Sequence, residues 1–200
     1  MMPDIAGVAG ESTSPNRQIQ LEGVLLTDYI IRPLTVGEAR ERIGVLSDLL
    51  IECVEGGASV SFMSPLARAK AEAFWRGVSE GVAAGERVLL VAEGDRATVG
   101  TVQLVLGLPE NQPHRADVSK MLVRPAARRR GLGAGLMRAV EDAAGAAGKS
   151  LLVLDTANPE AERLYERSGW IRVGAVPGYA LLPDGRPCDT TFFYKQLAPR

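Results

Sequence analysis

The residues of this chain best suited to chemistry form one run, Arg128-Arg129-Arg130-Gly131-Leu132-Gly133-Ala134-Gly135. It follows a segment of strand character and opens one of helical spacing. As a helix start it is poorly built. An interior glycine costs about 1 kcal/mol relative to alanine, and cations at the positive end of a helix dipole are disfavoured by roughly 0.3–1 kcal/mol each. A bound anion removes both conflicts. Glycine lets a phosphate approach free backbone N–H groups, and the arginines then face opposite charge. Residues 115–149 hold eight basic and three acidic side chains, a local excess of positive charge in a chain of formal net charge −1. A solvated charge run would account for the arginines but not for the glycines.

Other anion-binding patterns fit less well. The dinucleotide fingerprint Gly-x-Gly-x-x-Gly fails at Leu136. Gly148-Lys149-Ser150 resembles the end of a Walker loop, but Ala143 stands where glycine is required and the triplet closes a helix instead of opening one. Aromatic residues do not interleave with the arginines, as a nucleic-acid groove would need, and the overall charge brings no bias toward nucleic acid or anionic lipid. Cys53 and Cys188 have no second Cys or His at ligand spacing, so no metal is expected. Free thiols suit a reducing cytoplasm. His114, the only histidine, lies in a loop beside Pro113. No apolar run approaches the roughly 20 residues of a membrane span.

The elements that position the arginine–glycine run can be read from periodicity. Residues 1–28, rich in Gly, Ser, Pro, Asn and Gln, read as a flexible leader, and 29–198 as a single domain. A short strand at 29–33 stops at proline. Ile43, Leu46, Leu50 and Val54 recur at helical spacing within 36–54, and Gly56-Gly57 ends that helix. Pro65 suits the first turn of a second helix with Ala69, Ala73, Phe74 and Val78 on its apolar face. Residues 88–92 and 99–106 read as a hairpin, and 115–123 as a strand whose alternation puts Asp117, Ser119, Met121 and Val123 on one side. Leu132, Leu136, Val140 and Ala144 mark a third helix, and 151–154 a buried strand. Asn158 and Pro159 open a fourth helix, closed by Gly169. Strands at 170–182 and 190–197 flank a Pro-Asp-Gly turn. The order β-α-α-β-β-β-α-β-α-β-β predicts an α/β (α+β) domain of about seven strands and four helices.

Arg128, Gly131 and Gly133, placed after a strand as Arg-x-x-Gly-x-Gly, resemble the pyrophosphate loop of the GNAT superfamily of N-acetyltransferases. The later run from Asn158 through Ala161 and Tyr165 to Gly169-Trp170 is similar to a second signature of that superfamily, and the resemblance covers roughly 29–198. Three further segments resemble its tabtoxin-resistance branch: Glu52-Cys53-Val54-Glu55-Gly56-Gly57-Ala58-Ser59-Val60, Asn111-Gln112-Pro113-His114-Arg115-Ala116-Asp117-Val118, and Leu154-Asp155-Thr156.

The resemblance implies a GNAT fold: a mixed, mostly antiparallel twisted sheet, splayed between its fourth and fifth strands, 115–123 and 151–154. It implies acetyl-CoA as co-substrate. The diphosphate would rest on the amides of Arg129, Arg130, Gly131, Leu132, Gly133 and Ala134 beside Arg128, with Asn158 and Tyr165 near the cofactor. The pantetheine arm would pair with Met121, Leu122 and Val123. Asp117 and Asp155 are then the candidate bases, and Tyr165 the acid that protonates the departing sulfur. Strand parity puts Asp117 on the same side as Met121, about 13 Å away at 3.3 Å per residue, so it would act through water or position an ammonium. Glu55, Ser59 and Phe62 lie in the loop that commonly shapes the acceptor pocket in this superfamily. The implied partner is a small-molecule amine, such as a tabtoxinine-like amino acid, and a homodimer is the implied assembly. Peptide acetylation and non-catalytic acyl-CoA binding remain open as alternatives.

Overall fold

The computed structural model describes residues 23–26, 28–94 and 97–198. Eight strands form one sheet in the order β1-β2-β3-β4-β5-β6-β8-β7. They are β1 Val24–Leu26, β2 Tyr29–Pro33, β3 Arg87–Gly94, β4 Ala97–Val105, β5 Arg115–Val123, β6 Leu151–Thr156, β7 Ile171–Leu181 and β8 Pro187–Gln196. Every neighbouring pair is antiparallel except β5–β6. This is the mixed sheet that the resemblance implies, with one strand more than the expected seven. The addition is β1, an apolar Val-Leu-Leu run inside the segment expected to be a leader; it pairs Val24 with Ile31 across from β2. Residues 1–22 of that leader lie outside the described residues.

Five α-helices replace the expected four: α1 Val36–Glu41, α2 Ile43–Glu55, α3 Arg68–Ala83, α4 Leu132–Ala146 and α5 Pro159–Arg167. The single helix expected over 36–54 is divided at Arg42, whose backbone leaves the helical region (φ −95°, ψ 7°) while its guanidinium pairs with Glu93 of β3. A Thr35/Glu38 capping box starts α1. The next helix begins at Arg68, not Pro65. Glu55 takes hydrogen bonds from Ser64 Oγ (2.6 Å) and Leu66 N (3.0 Å), which holds that proline in a loop. The buried face of α3 is Ala71, Trp75, Val78 and Ser79, whereas Ala69 and Ala73 are exposed. Trp75 decides this orientation, because it has far more apolar area to bury than any alanine.

The sheet divides two cores. Leu132, Leu136 and Val140 of α4 pack with Leu90, Val102, Ala116 and Leu152 on one face. Leu46 and Leu50 of α2 and Trp75 of α3 pack with Leu89, Val91 and Leu122 on the other. Alternating residues of β3 thus serve opposite faces, as the period of a strand requires.

Two irregularities of β5 set the layout of the cavities beside it. Thr101 pairs with Leu122 but Gln103 pairs with Ser119, so β5 carries one extra residue, at Lys120 with φ +50°. This bulge reverses the alternation. Ala116 and Val118 enter the α4 core before it; Met121 and Val123 pack there after it, and Leu122 turns to the other core. Asp117 and Met121 therefore face opposite sides of the sheet, contrary to strand parity. Secondly, β5 and β6 pair only at Arg115↔Leu151, Ala116↔Leu152 and Asp117↔Val153. β6 then stays with β8 as far as Thr156, and β5 diverges. The splay lies between the two strands for which it was expected.

Candidate active site

Two cavities flank the splay. The first, about 750 Å³, runs from Met121, Leu122 and Val123 of β5 past Arg128, Arg129, Gly131, Leu132, Gly133 and Ala134 to Asn158, Ala161 and Leu164 of α5. Its floor is the start of α4. The first bond inside that helix is Gly135 N to Gly131 O (3.0 Å), so the N–H groups of Leu132, Gly133 and Ala134 have no acceptor within the helix. No side chain caps them and no acid stands in the first turn. Asn158 shows the contrast at α5: its Oδ1 accepts from Glu160 N (2.8 Å) and Ala161 N (3.4 Å), with Glu160 and Glu162 in the first turn.

The loop before α4 is held in an uncommon shape. Arg129 and Gly131 both adopt left-handed backbone, at φ +63° and +78°. Successive amides in such a turn point into one concavity, which suits an anion. Gly133 has little room for a side chain unless Leu164 shifts. A Cβ there would come 2.9 Å from Leu164 Cδ2, where α5 closes on α4. Arg128 Nε donates to Val123 O (3.2 Å), tying the loop to the end of β5. The Arg130 guanidinium is turned to Tyr29 Oη (3.0 Å), and Arg130 does not line the cavity. Along 121–123, β4 pairs one edge of β5. The edge toward β6 has lost its strand partner.

The second cavity, about 420 Å³, brings together Gln103, Arg115, Asp117, Lys120 and Asp155 beneath Phe74 and Phe192. Consecutive residues Lys120 and Met121 line the two cavities in turn, so the bulge is the boundary between them. Burial raises the Asp117 carboxyl above its ordinary value; Arg115 (3.3 Å) opposes the shift and Asp155 adds to it. Burial lowers the Lys120 ammonium, with Asp155 opposing and Arg87 adding. Lys120 Nζ also reaches Ser61 Oγ (3.1 Å). Asp155 thus acts electrostatically on every ionisable neighbour whose proton is shifted here.

Asp117 carries a pH consequence. A carboxyl whose folded value is raised favours the fold while protonated, and that contribution is lost as pH rises through the folded value. Above it, the charged carboxylate opposes folding. Asp117→Asn is expected to raise the thermal midpoint at pH 7, with the gain vanishing below about pH 4, where the unfolded carboxyl is itself protonated. Thermal melts of both proteins across that interval check it.

Tyr165 lines neither cavity. It is buried between Trp170 (ring centroids 6.2 Å apart) and Phe193 (5.7 Å), and burial, with Asp155 nearby, pushes its phenol well above the usual range. Glu55, Ser59 and Phe62 also line neither cavity. Glu55 secures its own loop through Ser64 and Leu66. Ser59 Oγ lies 3.5 Å from Leu181 O, and Phe62 packs edge-on against Phe74 (5.3 Å), itself a wall of the second cavity. Cys53 lines the first cavity, but burial raises its thiol, so it is no ready nucleophile. Lys120 and Gln103 are cavity residues that sequence reasoning missed. The signal for Gln103 was available: it is the one amide in β4, between Val102 and Leu104. Among the described residues, no group of His, Cys, Asp and Glu could hold a metal ion, and no helix is long and apolar enough to cross a membrane.

Comparison with known proteins agrees with this geometry. A family model described as the acetyltransferase (GNAT) family matches residues 58–170. An uncharacterised N-acetyltransferase from the hisH–hisA intergenic region of Azospirillum brasilense is 36% identical over 112 residues, 55% of this chain. The match spans 65% of that relative's length. The Salmonella typhimurium protein yncA, solved with its cofactor acetyl-CoA, superposes with a TM-score of 0.71 at 20% identity, covering 87% of this chain and 96% of that one. A phosphinothricin acetyltransferase from Sinorhizobium meliloti, solved with acetyl-CoA, gives 0.70 at 19% identity, covering 86% and 90%.

Proposed function

The chain belongs to the GNAT acetyltransferase family, and from that premise we propose that it moves an acetyl group from acetyl-CoA directly to the primary amine of a small molecule. The observation that carries the proposal is the uncapped start of α4, crowded by Arg128 and Arg129, opening into a cavity that ends on the unpaired edge of β5.

Acetyl-CoA supplies an activated thioester. In this reading the amides of Arg129, Arg130, Gly131, Leu132, Gly133 and Ala134 hold the diphosphate, and Arg128 and Arg129 balance its charge. Met121, Leu122 and Val123 offer the pantetheine arm the hydrogen bonds that β6 no longer takes. A backbone N–H near Met121 or Leu122 stabilises the oxyanion. The amine occupies the second cavity. Its nitrogen lone pair forms the new bond to the carbonyl carbon, the carbon–sulfur bond breaks, and the ammonium proton passes to Asp155 or Asp117, directly or through water. Tyr165, held neutral by burial, is the proposed acid for the departing sulfur; because it lines neither cavity, it would deliver that proton through water. Glu55, Ser59 and Phe62 act one step removed, by holding the loop whose Ser61 meets Lys120 and by backing Phe74.

A 420 Å³ cavity with partly buried polar walls suits a small acceptor rather than an extended peptide. The branch resemblance supports an amino-acid-like acceptor of the tabtoxinine-β-lactam kind and a homodimer; the two free cysteines support a cytoplasmic setting. The test mixes the protein with acetyl-CoA and amino acids, polyamines, aminoglycosides and the tabtoxin warhead, and follows release of the CoA thiol. Turnover with a small amine is expected. A protein that binds acetyl-CoA yet releases no thiol with any of them would contradict the proposal.

A further inference from the structure

Three residues that line the second cavity each carry a buried polar atom without a hydrogen-bond partner among the described residues: Gln103 Nε2, Arg115 Nε and Asp117 Oδ1. Buried polar atoms are nearly always paired, and leaving one unpaired costs about 1–3 kcal/mol. Three such atoms around one cavity specify what should fill it. Two are donors and one is an acceptor, so the occupant must present an acceptor oxygen and a donor group together.

Gln103 is the most constrained of the three. It is fully buried on β4, paired across the sheet with Leu89 on one side and Ser119 on the other. Its Oε1 accepts from Arg87 Nη1 (2.9 Å). That bond fixes the amide, so Nε2 is the free end. Asp117 lies two residues along β5 from Ser119, which makes it a diagonal neighbour of Gln103, about 7–8 Å away. A molecule carrying an amine and an oxyanion a few bonds apart spans that interval. The charge balance points the same way. Arg87, Arg115 and Lys120 face Asp117 and Asp155, three cations against two anions. A bare cationic amine would meet surplus positive charge there; one with its own anionic group would not.

We infer that Gln103, oriented by Arg87, is the specificity-determining residue of the acceptor site, donating Nε2–H to the carboxylate of an amino acid whose amine faces Asp117 and Asp155. This rests on reading the second cavity as the acceptor site. It adds the residue that distinguishes an amino acid from a simple amine.

The experiment compares the common amino acids with the amines left when their carboxylates are removed, in the unmodified protein, Gln103→Glu and Gln103→Met. Glu keeps the shape and removes the donor; Met is neutral and similar in length, in case a buried carboxylate unfolds β4. Acetyl-CoA affinity, read at the other cavity, reports whether each variant is folded. The unmodified protein should favour amino acids. In a folded variant the ratio of kcat/KM for amino acid over matching amine should fall about 10–100-fold, mainly through KM. An unchanged ratio, or an unmodified protein that prefers the bare amines, would overturn the inference. Asp155→Asn separates the two levels. If it abolishes transfer while the Gln103 ratio stays constant, only this inference fails. If neither residue affects transfer, the acceptor-site reading fails with it.

Discussion

Asp155→Asn is expected to lower kcat/KM for the amine acceptor by about 10²–10⁴-fold, the usual contribution of a positioned acid or base. Asp155 stands at the end of β6 where β5 has already diverged, and its charge bears on Asp117, Lys120 and Tyr165 together. Removing it takes away one of the two carboxylates proposed to receive the ammonium proton. It also removes the anion that helps keep Lys120 charged. The loss should fall on kcat, with acetyl-CoA affinity unchanged within about twofold, because Asp155 lines only the second cavity. Steady-state kinetics at saturating acetyl-CoA check this. A loss smaller than tenfold would move the base to Asp117 or into solvent.

The second large effect concerns the cofactor. Arg129→Glu should weaken acetyl-CoA binding about 10–100-fold, since a hydrogen bond to a charged group is worth about 1.5–3 kcal/mol and each 1.4 kcal/mol is tenfold. Gly131→Val should weaken it too, for a different reason. At φ +78° a side chain is strained by roughly 1–2 kcal/mol and pulls the amides out of line. The two variants separate in salt. The arginine is exposed, so its effect should shrink as ionic strength rises, whereas the backbone effect should persist. Calorimetric titrations at low and high salt distinguish them. Equal salt dependence for both would mean that the loop acts through general charge rather than through its shape.

What could be read from the sequence, and what could not, divides along physical lines. Local rules located the start of α4, the Asn158 cap and most strands, because glycine, proline and capping residues act over a few neighbours. The splay followed from family resemblance. The bulge at Lys120 could not be read, because one extra residue leaves the alternation of β5 looking intact on either side, and so Asp117 was given the wrong face. The break at Arg42 was hidden by an unbroken helical period; the ion pair with Glu93 that accompanies it lies 51 residues away. Trp75 turned α3 by a share of a turn that alanine spacing does not encode. Tyr165 was legible as a residue but not as a place: its ring lies in the aromatic cluster with Trp170 and Phe193. Gln103 was legible as an anomaly, and only the orphaned amide in its cavity gives that anomaly a meaning.

The central claim is that a diphosphate completes the start of α4. Backbone amide exchange of the unmodified protein, with and without acetyl-CoA, tests it most directly. Slowed exchange at Arg129 through Ala134 on adding the cofactor, extending to the 121–123 edge of β5, is the predicted result. Full occupancy by acetyl-CoA with exchange unchanged at those six amides and protection elsewhere would contradict it.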